Sequence, residues 1–104
     1  MTFRFSPEAQ GQYLRLVVHY ESLERSEAIS NLNTAVKNAI REITRMPRAG
    51  LPAPRPYPDL AGLGQLWVKS GPYWFSYHHI VGQPGRSAVI TGIFYDRSDI
   101  PGAV

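Results

Sequence analysis

Hydrophobic and aromatic residues form three short runs in the C-terminal half of the chain, and turn residues separate them. The runs are rich in β-branched and aromatic side chains, which is typical of β-strands. They cover residues 66–69, 73–81 and 88–95. The intervening loops are too short for a crossover, so consecutive strands can only run antiparallel. The pattern therefore predicts a three-stranded antiparallel meander.

The middle run places large aromatic residues on both faces of the predicted sheet. Alternation directs Tyr73, Phe75 and Tyr77 to one face. It directs Trp74 and His78 to the other face. Exposed aromatic surface is costly unless it is used. We therefore expect helices to cover one face and a partner to cover the other.

A strand and a helix are predicted at the start of the chain. Phe3-Arg4-Phe5 alternates as a strand does. In the following Ser6-Pro7-Glu8, serine can cap free amides, proline suits the first helical position, and glutamate suits the positive end of the helix dipole. Apolar residues then recur at three- and four-residue spacing. This spacing predicts a helix over residues 7–23.

A second, longer apolar stripe predicts another helix. Ser26 is placed to cap it, and it should end near Met46 because Pro47 restricts the residue before it. The short connection indicates an antiparallel helical hairpin. The apolar positions of this second helix are Ile29, Leu32, Val36, Ala39, Ile40, Ile43 and Met46. The expected seam of the hairpin consists of Tyr13, Tyr20, Leu32 and Val36.

Prolines interrupt the chain repeatedly between residues 47 and 58. Proline cannot donate to a helix or a strand ladder, so no helix or central strand is expected there. We interpret the segment as a stiff, extended crossover from helix to sheet. The alternative is a proline-rich ligand for an aromatic groove.

The order strand, helix, helix, strand, strand, strand predicts one α+β domain over residues 1–104. The helical hairpin should pack on one face of a small, twisted, mainly antiparallel sheet. The first strand must join this sheet, since an isolated strand would be unstable. We expect it either antiparallel to the last strand or beside the first meander strand.

Composition and net charge limit the classes of partner that the chain is expected to bind and the compartment in which it is expected to work. The net charge of +3 comes from basic residues scattered along the chain, which favours a solvated surface over a nucleic-acid footprint and is equally compatible with an acidic protein partner. The chain has no cysteine, as is usual in a reducing compartment. It shows no signal-type apolar core and no run long enough to span a bilayer. A cytoplasmic location and no membrane partner are expected.

Metal and cofactor chemistry finds no support in the sequence. His78 and His79 are adjacent on a strand and point to opposite faces, while His19 lies on a helix, so no pair has ligand spacing. No serine lies in a nucleophile turn, and no glycine-rich loop has the lysine of a phosphate loop. We expect neither a metal nor a cofactor.

Metal-free cleavage of RNA stays open. It needs a base for the 2′-hydroxyl, cations for the phosphate and a proton donor for the leaving oxygen. Each candidate also has an ordinary structural role open to it, as a solvated, core or ion-paired residue. The candidates on the sheet and its edges are Lys69, His78, Arg86, Tyr95 and Arg97.

Four short segments stand out by their sequence and by their order along the chain. They are Phe3-Arg4-Phe5-Ser6-Pro7-Glu8-Ala9, Met46-Pro47-Arg48-Ala49-Gly50, Gly71-Pro72-Tyr73-Trp74-Phe75-Ser76-Tyr77 and Ile93-Phe94-Tyr95-Asp96-Arg97-Ser98-Asp99-Ile100. Together they resemble the RelE/ParE superfamily of toxins from bacterial type II toxin–antitoxin systems. The resemblance covers nearly the whole chain and implies the β-α-α-β-β-β fold of these toxins.

The resemblance also implies a partner and two alternative targets. Such toxins are neutralised by an acidic antitoxin whose C-terminal segment wraps the helical hairpin and sheet. RelE-like members cut messenger RNA on the ribosome, whereas ParE-like members bind DNA gyrase and poison it without catalytic residues of their own.

Residue matches favour the ParE-like branch. RNA-cleaving members commonly carry an arginine directly after the tyrosine of the middle strand, and here that position is Trp74. An indole lacks the charge that a phosphate transition state would use, and tryptophan is enriched at binding hot spots. Tyr95 roughly occupies the place of their catalytic histidine or tyrosine. Arg97 and Asp99 match an Arg-x-Asp ending of both branches.

From these matches we predict that the chain is a ParE-like toxin. It would inhibit DNA gyrase by protein binding, with no direct specific DNA binding. Its target- or antitoxin-binding residues would be Trp74, Tyr95, Arg97 and Asp99. The alternative is a ribosome-dependent mRNA endoribonuclease of the RelE type. Its catalytic residues would be Lys69, His78, Arg86 and Tyr95. A third possibility is a family member that has lost toxicity and survives as a binding module.

Overall fold

Two helices and four strands follow one another in the predicted order. The computed structural model describes residues 2–62, 64–81, 86–97 and 100. The elements are β1 (Thr2–Phe5), α1 (Pro7–Ser22), α2 (Ser26–Arg45), β2 (Gln65–Ser70), β3 (Tyr73–Val81) and β4 (Arg86–Tyr95). The predicted α+β class and β-α-α-β-β-β order are confirmed. No helix in the described part of the chain is long and apolar enough to cross a bilayer.

The four strands form one sheet in the order β1-β4-β3-β2. The predicted meander is confirmed, because β3 pairs antiparallel with both β2 and β4. β1 lies beside β4, but it runs parallel to it, with Thr2 opposite Ser87 and Phe5 opposite Ile90. Both expected placements of the first strand, antiparallel to the last strand or beside the first meander strand, are therefore wrong.

The directions in which the two helices run explain why β1 pairs parallel with β4. The Ser6 amide donates to the Ile90 carbonyl at 2.9 Å, and the Gln12 side chain accepts from the Ile93 amide at 2.8 Å. α1 thus continues along the edge of β4 in the direction of β1. α2 then returns the chain to the end of the sheet where β1 began. Since β2 starts there and the meander reverses direction twice, β4 runs parallel to β1.

The structure confirms one of the two predicted helix caps. Ser6 caps α1, with its Oγ accepting from the Ala9 amide at 3.1 Å. Ser26 is the first residue of α2 and not its cap; Arg25 holds the cap position, and its side chain makes no capping hydrogen bond. Leu23 was predicted as the last residue of the first helix and Met46 as part of the second apolar stripe, but both lie just beyond the helix ends and are 52% and 55% exposed.

A first core lies between the helices and one face of the sheet. Leu32 and Ile43 of α2 pack there with Phe75 and Ile90 of the sheet. In the predicted hairpin seam, Tyr20 and Leu32 are buried, whereas Tyr13 and Val36 are half-buried. The Tyr13 hydroxyl donates to the Asn33 side chain and so ties α1 to α2.

A second core covers the opposite face of the sheet. Its buried members are Trp67, Trp74, Phe94 and Ile100. Leu51 and Tyr57 of the proline-rich segment pack against them, as does Leu60 just after it. Leu51 also exchanges two backbone hydrogen bonds with Trp67, at 2.7 and 2.8 Å. The segment is a crossover, as predicted, apart from one 3₁₀ turn at Pro58–Leu60. The expectation that a partner covers this face is corrected, because the chain covers it with its own apolar side chains.

A buried pair of hydroxyls joins α1 to β3. The Tyr20 and Tyr73 hydroxyls bond to each other, and both residues are buried. Burial raises the pKa of the Tyr73 hydroxyl far above its ordinary value, and the hydrogen bond that it shares with the Tyr20 hydroxyl raises this pKa further, so the hydroxyl stays neutral.

Replacing Tyr20 with phenylalanine should therefore lower the free energy of unfolding by about 1–3 kcal/mol, because the Tyr73 hydroxyl would be left buried and unpaired. The double variant Tyr20→Phe/Tyr73→Phe should recover most of this loss. Urea unfolding of the wild type, both single variants and the double variant forms the cycle that measures it. Strictly additive losses would contradict the coupling.

Candidate partner-binding surfaces

The four candidate catalytic residues do not come together in one place. Arg86 and Tyr95 are the two ends of β4, which has 10 residues, so at ~3.3 Å per residue they lie about 30 Å apart. Lys69 pairs with Trp74 near the Tyr95 end. His78 lies mid-sheet opposite Val89, on the face away from Tyr95. No single substrate phosphate could contact all four.

Lys69 takes part in an ion pair at the end of the sheet. Its Nζ lies 3.2 Å from Oδ2 of Asp96, and both side chains are partly exposed. The Asp96 amide also donates to the Pro72 carbonyl at 2.8 Å, which fixes the turn after β4. Lys69 therefore has a structural role, and Asp96 pairs with it instead of with Arg97.

Tyr95 belongs to the rim of the first core. It is half-buried, and its ring meets the Tyr73 ring edge-on, with centroids 5.8 Å apart. Arg97 is exposed just beyond the strand. Asp99 lies outside the described residues. That any of the three binds a target or an antitoxin stays a prediction.

Trp74 is a core residue of the isolated chain. It is 5% exposed and lies in the second core with Trp67 and Phe94. A protein hot spot requires contact with the partner, so Trp74 could act in this way only where the partner displaces the covering segment. Its predicted binding role stays a prediction, and the structure gives it a packing role first.

A cationic cluster lies where α2 ends and β4 begins. Arg45, Arg48, His79 and Arg86, which we call the cationic cluster, line one open cavity of about 630 Å³. Arg48 follows α2, and Arg86 opens β4 on the same face as His79, because it sits two residues before the His79 partner Ala88. Among the described residues, neither Arg48 nor Arg86 forms an ion pair.

His79 is the half-buried member of the cationic cluster. Its Nε2 is buried and has no hydrogen-bond partner in the described part of the chain. Burial lowers the pKa of His79, and the nearby Arg48 and Arg86 lower this pKa further. The imidazole is therefore neutral at pH 7 and can offer one ring nitrogen as a donor.

Sequence reasoning found only one member of the cluster, Arg86, and assigned it to a different site with His78. Arg48 entered the sequence analysis as part of the motif after α2, and His79 was considered there only as a metal ligand. Strand alternation places His79 and Arg86 on one face, but nothing local indicates that the end of α2 brings Arg48 against them.

An apolar groove lies between α1, α2 and the end of β1. It has a volume of about 500 Å³ and is lined by Phe5, Gln10, Tyr13, Leu14, Asn33, Val36 and Lys37. Leu14 is 59% exposed at its rim, and Val18 continues the exposed apolar strip one turn further along α1. Exposed large apolar residues at helical spacing are typical of a surface that binds another protein.

No metal centre is formed within residues 2–62, 64–81, 86–97 and 100, since these contain no group of three histidine, aspartate or glutamate side chains placed to hold an ion. The features that the described residues offer for binding are the apolar groove and the cationic cluster.

Comparison with known proteins shows similarity in structure but not in sequence. No protein-family model matches the chain, and no curated protein matches its sequence significantly. A chromosomal ParDE toxin–antitoxin system from P. aeruginosa contains a chain with a TM-score of 0.63 and 15% identity, over 91% of this chain and 95% of that chain. The chain has the RelE/ParE fold.

Two further solved structures share this RelE/ParE fold. A YoeB/ParE toxin from Agrobacterium tumefaciens has a TM-score of 0.56 and 19% identity, over 91% of this chain and 98% of that one. The toxin–antitoxin complex RelBE2 from Mycobacterium tuberculosis has a TM-score of 0.57 and 24% identity, over 90% of this chain and 95% of that one. At these identities the similarity establishes the fold and does not separate the ParE-like from the RelE-like branch.

Proposed function

We propose that this chain is the toxin of a type II toxin–antitoxin system, that it acts by binding a protein target, DNA gyrase, and that a cognate acidic antitoxin neutralises it. Structures of a ParDE system, a YoeB/ParE toxin and a RelBE2 toxin–antitoxin complex share its fold along nearly the whole chain. The resemblance of its sequence motifs to RelE/ParE toxins supports the same class.

The separation of the candidate catalytic residues is the observation that favours binding over catalysis. An endoribonuclease needs its base, acid and phosphate-binding cations within hydrogen-bond reach of one scissile phosphate. Here Arg86 and Tyr95 occupy opposite ends of β4, and Lys69 is held by Asp96. Trp74 replaces the arginine that RNA-cleaving members commonly carry, and it is buried.

The apolar groove supports an antitoxin on the helical hairpin. An amphipathic segment can bury apolar side chains against Leu14, Tyr13 and Val36, which the isolated chain leaves at an open surface. The chain carries a net charge of +3, which complements an acidic partner.

Expression of the chain alone in a bacterial host, with supercoiling and transcript cleavage measured in the same lysates, tests the proposal. Because the chain should bind gyrase without cleaving RNA, we expect growth arrest, reduced supercoiling by gyrase and intact transcripts. If a neighbouring short reading frame encodes an acidic protein, coexpression of that protein should restore growth.

Cleaved transcripts with normal supercoiling would contradict the proposal and favour the RelE-type alternative. In that event Tyr95→Phe and Arg86→Ala should each abolish cleavage while ribosome binding is kept. Circular dichroism of both variants controls for unfolding. A chain that affects neither growth, supercoiling nor transcripts would point to the binding module without toxicity.

A further inference from the structure

The two cavities at the cationic cluster are lined by basic and uncharged residues, with no carboxylate among the described ones. Arg45, Arg48, His79 and Arg86 line the cavity of about 630 Å³. Arg48 and His79 also line a second cavity, of about 440 Å³. The other residues that line these two spaces are uncharged: Met46, Pro47, Ala49, Gly64, Gln65 and Leu66. The cluster therefore borders two cavities and presents positive charge to both.

The positive charge of the cluster is largely uncompensated within the described residues. Glu42 pairs with Arg45 at 2.7 Å, so Arg45 is partly neutralised. Arg48 and Arg86 are exposed, and neither forms an ion pair there. Burial lowers the pKa of His79, and the charges of Arg48 and Arg86 lower it further, which places both guanidinium groups near the same ring. Like charges held together raise the local potential, and a bound anion would lower it.

A neighbouring cavity shows that this charge is local and does not simply follow from the net charge of the chain. That cavity, of about 450 Å³, shares Met46 and Ala49 with the first one. It is lined by Glu42 and by Lys69 and Asp96, whose side chains pair at 3.2 Å. Charges of both signs therefore meet there, whereas in the cationic cluster the counter-charge would come from a ligand.

The donors of the cluster suit phosphate groups. A guanidinium group holds a phosphate with two parallel hydrogen bonds. A carboxylate carries one negative charge, whereas a terminal phosphate carries about 1.5 to 2 at pH 7, so two linked phosphates offset three arginines better than one carboxylate does. A cavity of about 630 Å³ lies within the size range of small-molecule sites. Single-stranded nucleic acid usually stacks its bases on aromatic side chains, and His79 is the one ring among the described residues of the two cavities.

We propose that the cationic cluster is a binding site for a small polyphosphate, either inorganic or part of a nucleotide. Arg48 and Arg86 donate hydrogen bonds to its oxygens, and Arg45 adds positive charge at the end of α2. Both sources share the same recognised group, a terminal di- or triphosphate. The site is independent of the proposed function, because neither the gyrase target nor the antitoxin is needed to form it.

His79 reports whether this site is occupied. The charged groups that face it are Arg45 and Arg48 from the end of α2 and Arg86 from β4, and the β2 residues that line the second cavity do not titrate. A bound polyphosphate would offset the arginines, so the pKa of His79 should rise when the ligand binds. In the free chain, Arg48→Gln or Arg86→Gln removes a positive neighbour, so each should also raise this pKa. NMR titration of the His79 ring measures both effects.

Isothermal titration calorimetry of the full chain with pyrophosphate, in magnesium-free buffer of fixed ionic strength, tests the proposal. Arg48→Gln and Arg86→Gln should each weaken binding about tenfold, because each removes charge-assisted hydrogen bonds. Arg48→Lys keeps the charge without the fork of donors, so its loss should be smaller than that of Arg48→Gln. Arg15→Gln is the matched control, since it removes the same charge from an exposed position of α1 outside the cluster, and it should change affinity less than about twofold. Circular dichroism checks that every variant is folded.

ATP in place of pyrophosphate separates the two sources of the ligand. Binding of ATP that is no tighter than that of pyrophosphate would assign the site to an inorganic polyphosphate. Tighter binding of ATP, still weakened by Arg86→Gln, would assign it to a nucleotide.

Several results would overturn the proposal. Neither pyrophosphate nor ATP binding to the wild type would remove the site. Equal weakening by Arg15→Gln would mean that only the net charge matters, and acetate binding as tightly as pyrophosphate would mean that the cluster does not select phosphate. An unchanged pKa of His79 on addition of pyrophosphate would place the ligand elsewhere. A single-stranded RNA oligonucleotide that binds more tightly than pyrophosphate and ATP, and is weakened by Arg48→Gln, would make the cluster a nucleic-acid site.

Discussion

Replacing Trp74 with alanine should lower the free energy of unfolding by about 3–5 kcal/mol, the cost of removing a buried aromatic side chain from a packed core. Trp74 is 5% exposed and packs in the second core with Trp67 and Phe94. The neighbouring rings are held on strands and by the crossover segment, so the space cannot close completely. Urea unfolding followed by far-ultraviolet circular dichroism measures the loss.

Two variants control the Trp74 experiment. Trp74→Phe keeps an aromatic ring in the second core and should cost less than Trp74→Ala. Arg97→Ala, at an exposed position, should leave stability within about 0.5 kcal/mol of the wild type. A stable Trp74→Ala chain that no longer inhibits supercoiling would contradict the packing role and support a direct contact between Trp74 and the target.

Gly50→Ala should destabilise the chain by about 2–3 kcal/mol, because no space exists for a side chain at this position. A Cβ there would lie 2.5 Å from the Tyr77 hydroxyl oxygen and 2.9 Å from the Leu66 Cβ. The Leu66 Cβ is fixed to β2. The Tyr77 hydroxyl donates to the Pro47 carbonyl at 2.8 Å, so moving it would also break a bond that fastens the end of α2 to the sheet.

Thermal unfolding of Gly50→Ala and of Gly62→Ala provides the comparison. Among the described residues, a Cβ at Gly62 would meet only the Gln65 Cβ, at 3.8 Å, so this variant should stay within about 0.5 kcal/mol of the wild type. Tyr77→Phe removes one of the two obstacles, so its combination with Gly50→Ala should cost less than the sum of the single losses. Equal stability of the two glycine variants would contradict the prediction, because it would show that the turn after α2 shifts enough to accept a Cβ at residue 50.

The sequence predicted the elements well because their signals are local. The Ser6-Pro7-Glu8 start and the Pro47 stop mark helix ends within a few residues, and the alternation in β3 marks which side chains share a face. The parallel pairing of β1 was mispredicted for the opposite reason. It depends on the direction in which α1 leaves β1 along the edge of β4, which is a tertiary contact made through Ser6 and Gln12.

The first core could be predicted from local sequence signals, whereas the second core could not. Helical periodicity predicted the face of α2 that packs on the sheet, with Leu32 and Ile43 at its centre. The proline-rich segment carries no periodicity, so its burial of Leu51 against Trp67 could not be read from spacing. Trp74 looked like exposed aromatic surface because the residues that cover it are distant in sequence.

By itself, the sequence determined the α+β class, the order of the elements and the resemblance to RelE/ParE toxins, because propensity, capping and periodicity act between residues near one another in the chain. Only the tertiary structure decided that Lys69, Arg86 and Tyr95 stand apart, and that Arg48, His79 and Arg86 stand together. The cluster joins the end of α2 to β3 and β4, and such convergence depends on how whole elements pack, which no local pattern of residues records.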